Sequence, residues 1–151
     1  MVFSSYFRLS LLFSWLIISP AMAASAGGSG SHEGESVSPA FAYALPSMPG
    51  KALRGLVVTY APGARSPSHA HGRAVVIAYV LSGAIRSQLE GGASRVYRAG
   101  QSWSEPPGAH HLVSENASGT EPARLLALFV VDANDQDLVT YDKVDRSAPA
   151  K

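Results

Sequence analysis

Residues 68–83 read SHAHGRAVVIAYVLSG. His69 and His71 stand two apart just before an apolar run, Val75–Leu81. Side chains alternate along a strand, so in an extended segment both imidazoles point the same way and can chelate one divalent ion. The next carboxylate in the chain is Glu90, well past the run. A strand with two histidines and no nearby acid must find further ligands elsewhere in the fold.

The surrounding punctuation is that of an all-β protein. From Pro39 onward, short apolar segments alternate with Gly and Pro turns such as LPSMPGK, APGARSP, EGGAS and EPPGA. Strands are expected near 41–45, 52–60, 68–71, 75–81, 84–89, 95–98, 102–105, 111–114 and 124–131, with a short edge piece at 138–141. No segment of this part has a helical period. Many short strands in one domain suit a small sandwich or barrel. Composition leaves jelly roll, immunoglobulin-like sandwich and OB-type barrel open.

The remaining histidines are His32, His110 and His111. His32 lies in a small, polar stretch and reads as a solvated linker residue. His110 and His111 follow SWSEPPGA, where a rigid Pro-Pro-Gly turn sets where the next strand begins. Being adjacent they face opposite sides, and alternation alone does not say which side is the interior.

Residues 63–131 resemble a cupin. Gly63, five residues, His69-Ala70-His71 and then Gly83 are similar to the family's first motif; Gly100, Pro106-Pro107-Gly108, His111 and Asn116 are similar to its second, with Asn116 one place late. The family's glutamate position, counted back from Gly83, holds Val76. The resemblance implies an all-β, single-domain cupin jelly-roll barrel (a double-stranded β-helix). It further implies His69, His71 and His111 as ligands of a divalent metal ion, iron, zinc or manganese, with the fourth ligand absent from its usual place. Some dioxygenase-like cupins hold iron with three histidines alone, and three imidazoles also suit zinc with an open position.

Two residues are candidates for the missing ligand or for a partner of an imidazole: Gln88 and Glu105. Arg86, Tyr79 and Trp103 are candidates for a substrate pocket. Arg86 shares a strand face with Gln88, Ser87 and Leu89 share the other, and the pattern does not say which looks inward. The implied function is a small metal-binding cupin whose three-histidine centre binds, and as a dioxygenase-like enzyme oxidises, a small organic molecule. The competing reading is a non-catalytic small-molecule-binding or sensor module, and whether the protein is an enzyme stays open here. A homodimer is expected by resemblance.

Composition bounds the rest. Twelve Lys and Arg, scattered, against eleven Asp and Glu give a net charge of +1 and no basic run, which argues against nucleic acid. With no cysteine, a metal site must use nitrogen and oxygen ligands. Residues 1–23 read as a secretory signal: Arg8, a short apolar core at Leu9–Ile18, Pro20, then Ala21-Met22-Ala23 before cleavage after Ala23. That core is about half the ~20 residues a membrane-spanning helix needs, so no stable membrane anchor is expected after cleavage. The expected organisation is signal peptide 1–23, flexible linker 24–38, cupin domain 39–145 and flexible tail 146–151, in a secreted or periplasmic protein.

Overall fold

The structure, a computed structural model, describes residues 32–143. The expected signal peptide, the first part of the linker and the tail lie outside the described residues.

Every regular element among the described residues is a strand. One sheet sets β1 (Glu35–Ala44), β2 (Lys51–Tyr60), β10 (Ala123–Asp132), β5 (Val75–Ser82) and β8 (Ser102–Glu105) side by side in that order. The second sets β11 (Thr140–Tyr141), β4 (His69–Ala70), β9 (His110–Asn116), β6 (Ala84–Leu89) and β7 (Arg95–Arg98), with β3 (Arg65–Ser66) also paired to β9. All pairings are antiparallel. The two faces enclose one core, the all-β jelly-roll architecture that the resemblance implied.

Alternation in β5 and β10 builds that core. Val76, Ala78 and Val80 point inward from β5, and Leu125, Ala127, Phe129 and Val131 from β10. Tyr60 and Ile85 close it from β2 and β6. A fully buried Val or Phe contributes about 1.5–3 kcal/mol each. The outward residues of the same strands are also apolar. Val75, Ile77, Tyr79 and Leu81 are 39–42% exposed, and Val130, Leu128 and Leu126 stand opposite the first three across the β5–β10 ladder. Val57 and Leu53 continue this outer face on β2, and the Phe41 ring of β1 lies over Gly55, where any Cβ would stand 2.6 Å from it.

β1 departs from expectation. Glu35–Ser38, expected in the linker, are strand and pair with Val57–Tyr60. Small polar residues suit an edge strand that needs one inward side chain per two residues. Pro39 sits where the register of β1 shifts, a place where an edge strand tolerates a missing N–H.

The chain passes from one sheet to the other at Gly83, between β5 and β6. Its φ is +72°, and a Cβ there would lie 2.7 Å from the Pro122 carbonyl oxygen and 2.9 Å from the Ala123 Cα. Only glycine fits such a corner. Gly91 has the same φ but open space around it. Gly83→Ala is therefore expected to cost roughly 2 kcal/mol or more and Gly91→Ala roughly 1 kcal/mol. Urea midpoints of the two variants check this; equal losses would mean the crossing at Gly83 is not tight.

Candidate functional site

β4 and β9 bring the first two imidazoles together. His69 pairs directly with His111 across the ladder, so both side chains leave the same face. His71 follows two residues after His69 and returns to that face. Ring centroids lie 4.8 Å apart for His69–His71, 5.0 Å for His69–His111 and 6.5 Å for His71–His111. Each offers a ring nitrogen within 4.8 Å of the others, and all three are buried.

The backbone sets the tautomers. His69 Nδ1 lies 2.7 Å from the Pro67 carbonyl and His71 Nδ1 2.9 Å from the Leu138 carbonyl. A carbonyl only accepts, so both Nδ1 atoms carry the proton and both Nε2 atoms hold a free lone pair. This arrangement orients metal-binding histidines. Burial, the largest cause, pushes the pKa of His69 down to about 4 and that of His71 below the usual histidine range, so both stay neutral in the folded protein.

Glu105 lies beside the group, next to His71 and His111. It ends β8 just ahead of the Pro-Pro-Gly turn and is 2% exposed. Its Oε1 accepts from Trp103 Nε1 at 3.0 Å and lies 3.2 Å from His111 Nδ1. Its Oε2 lies 3.5 Å from His71 Nε2 and has no hydrogen-bond partner among the described residues. Burial opposes its ionisation, but the His111 hydrogen bond and charge, then His71 and Trp103, outweigh burial and hold the carboxyl below the usual range. The ladder explains its position. Val76 and Glu105 are direct cross-strand partners of β5 and β8 and both face inward. The carboxylate absent at Val76 thus has a counterpart one strand over.

Glu105 Oε2 and His71 Nε2 therefore present lone pairs to each other with no proton available between them. Three imidazoles with a carboxylate beside them form a donor set that suits a divalent ion. His111 has Ser87 Oγ 2.9 Å from its Nε2. Alternation in β6 puts Ser87 inward, and the sequence pattern had left that choice of face open.

The choice displaces other candidates. Arg86 pairs with Glu115 at 2.8 Å, and Gln88 donates to the Gly92 carbonyl at 3.2 Å. Neither lines the cavity, because their face of β6 is the outer one. Tyr79 is 42% exposed on the outer apolar face and is no pocket residue. Trp103 does line the cavity, with the tilted Tyr97 ring 4.6 Å away. His110 faces away from the group, and its Nε2 lies 3.0 Å from Ser68 Oγ and 2.9 Å from Asp142 Oδ2, tying the C-terminal segment to β9. His32 is not a solvated linker residue: its ring meets Tyr141 edge-on at 4.6 Å.

The histidines and Glu105 line an interior cavity of about 50 Å³, space for a few waters or a few heavy atoms. Its walls are largely apolar, with Leu56, Val58, Leu125 and Phe129 among them. Glu35, Tyr60, Ser66 and Ser114 also line it. Sequence reading missed all four. Inward alternation from Val58 to Tyr60 was the available signal for Tyr60, while Glu35 was hidden by its linker-like surroundings.

Residues 56–130 match the cupin domain family model. No curated protein matches the chain. Among solved structures, a recombinant oxalate oxidase in complex with glycolate aligns at 26% identity and TM-score 0.55, over 77% of this chain and 59% of its own. This chain thus spans about three fifths of that structure's length. KdgF from Halomonas sp. aligns at 22% identity and TM-score 0.53, over 66% of this chain and 80% of its own. The cupin domain of Schizosaccharomyces pombe Cnp3 aligns at 17% identity and TM-score 0.54, over 65% and 61%. These last two speak for the fold alone. The chain is thus similar to the cupin superfamily over residues 56–130 and has the jelly-roll fold of these structural neighbours.

Proposed function

We propose that this protein is an exported, metal-dependent cupin that binds a small oxygen-rich organic molecule and oxidises it in a dioxygenase-like reaction. The metal is held by His69, His71 and His111 with Glu105 as the carboxylate. The observation that carries this is the proton-free pair of Glu105 Oε2 and His71 Nε2, 3.5 Å apart and buried. A divalent ion there supplies a Lewis acid and, as iron or manganese, a redox partner for O2. The chain's own groups do the rest. Pro67 and Leu138 carbonyls hold two imidazoles in the ligating tautomer, Trp103 fixes the carboxylate, and the apolar wall limits water. The resemblance to an oxalate oxidase seen with glycolate supports a short oxyacid as ligand. Export rests on the signal-like pattern of residues 1–23.

We also propose that a second copy covers the outer face of β5 and β10. An apolar surface continuous across three strands is larger than the scattered exposure of monomers.

Metal content by mass spectrometry tests the centre. About one ion per chain is expected in the wild type and none in His69→Ala/His111→Ala. Glu105→Gln should weaken binding about ten- to a hundredfold. Val76→Glu/Glu105→Val, which moves the carboxylate back across the strand pair, should regain part of it. O2 uptake with glycolate or oxalate should need the three histidines. An ion without uptake would leave a binding module, and no ion after reconstitution with iron, zinc or manganese would sink the metal reading.

The depressed histidines predict an acid-sensitive metal-free form. Between pH 6.5 and about 4 the unfolded chain binds a proton at His69 that the folded chain does not. Stability therefore falls as pH falls through that window, by on the order of 3 kcal/mol from this residue. Thermal unfolding of metal-free wild type and His69→Gln across pH 7 to 4 should show a flatter profile for the variant.

For the outer face, light scattering should give twice the chain mass for the wild type and one chain mass for Ile77→Lys/Leu128→Glu. A monomeric wild type would refute the dimer.

A further inference from the structure

The cavity has a second polar group, built from β1, β2 and β3 together with β9, the strand that also carries His111. Glu35 of β1 stands opposite Tyr60 of β2, and Ser66 of β3 opposite Ser114 of β9. All four side chains are buried and line the same cavity as the histidines.

Their protons can be accounted for. Ser66 Oγ donates to Glu35 Oε1 at 2.5 Å. That bond uses the only proton Ser66 has, so its contact with Tyr60 Oη, also 2.5 Å, is donated by the phenol. Tyr60 then has no proton left for Ser114 Oγ at 3.0 Å, and Ser114 donates to it. Three hydroxyls thus form one directed chain that ends on Glu35 Oε1. None can also serve Glu35 Oε2, which is buried and has no hydrogen-bond partner among the described residues. Burial of Tyr60, which pushes its pKa up to about 12, keeps the phenol protonated and the chain intact. An unpaired buried carboxyl oxygen is costly and is normally matched by a water or a ligand.

We propose that Glu35 is the ligand-anchoring residue of this cavity: its free Oε2 accepts a hydrogen bond from a hydroxyl or ammonium group on a short carboxylic acid. The acid's own carboxylate lies at the histidine end. This deepens the metal-centre reading above and rests on it for that second contact. A cavity of about 50 Å³ limits the ligand to a few heavy atoms, so two- or three-carbon hydroxy or amino acids fit the class. The apolar part of the lining offers a longer polar chain little to bind.

Calorimetric titration of the purified protein with glycolate, glycine and acetate tests this, with metal content measured on each sample. The three probes share a carbon skeleton and differ in the donor. Wild type should bind glycolate and glycine at least about tenfold more tightly than acetate, the scale of a hydrogen bond to a charged group. In Glu35→Gln, Ser66 holds the amide oxygen and the amide NH2 faces the cavity, so an acceptor becomes a donor. Glycine, whose ammonium can only donate, should lose its whole advantage, while glycolate, whose hydroxyl can also accept, keeps part. A merely structural Glu35 would not separate the two probes in this way. Ser66→Ala, which frees the carboxyl from its tether, should shrink both preferences several-fold and decides the matter if Glu35→Gln does not fold. No preference over acetate in the wild type, or one unchanged in the variants, overturns the assignment. If the wild type carries no metal yet shows a Glu35-dependent preference, the metal reading fails and Glu35 stands. Bound metal with no such preference is the reverse.

Discussion

A buried carboxylate facing a neutral imidazole is the constraint on which this molecule turns. Glu105 is held from one side by Trp103 and His111, and its other oxygen meets a ring nitrogen that has no proton to give. Such a pair is costly in a folded interior unless a proton, a donor or a cation joins it. The rest of the site follows from that need. Backbone carbonyls fix the tautomers of His69 and His71, and the His69–His111 register places the third ring beside them. The Pro-Pro-Gly turn after Glu105 stiffens the link between the carboxylate and His111.

The barrel serves chemistry and packing from the same strands. β5 gives small apolar residues to the interior, leaving room for a cavity, and larger ones to the outside. The interior is thus apolar in its wall and polar at two ends, one of nitrogens and Glu105, the other of hydroxyls ending on Glu35.

Most strands were legible in the sequence, because period-two alternation and Gly/Pro turns are local signals. The histidine triad was legible only through its resemblance to cupin motifs, since His69 and His111 are adjacent through a ladder that no local pattern describes. Arg86 and Gln88 were misplaced as cavity candidates because a strand with polar residues on both faces does not announce its inward side. Only pairing with β9 turned Ser87 in and Arg86 toward Glu115. Glu35 was lost to the linker because Gly, Ser and Glu in succession look the same whether they are solvated or paired to an edge.

What the sequence determined by itself is the class of fold, the turn positions and the pair of histidines that one strand can present, all consequences of spacing along the chain. What only the tertiary structure decided is the carboxylate's new place, the inward face of β6 and the second polar end of the cavity. Each depends on cross-strand register. Register is set by which strands meet, over separations of tens of residues, and a single strand's own pattern carries no record of its partner.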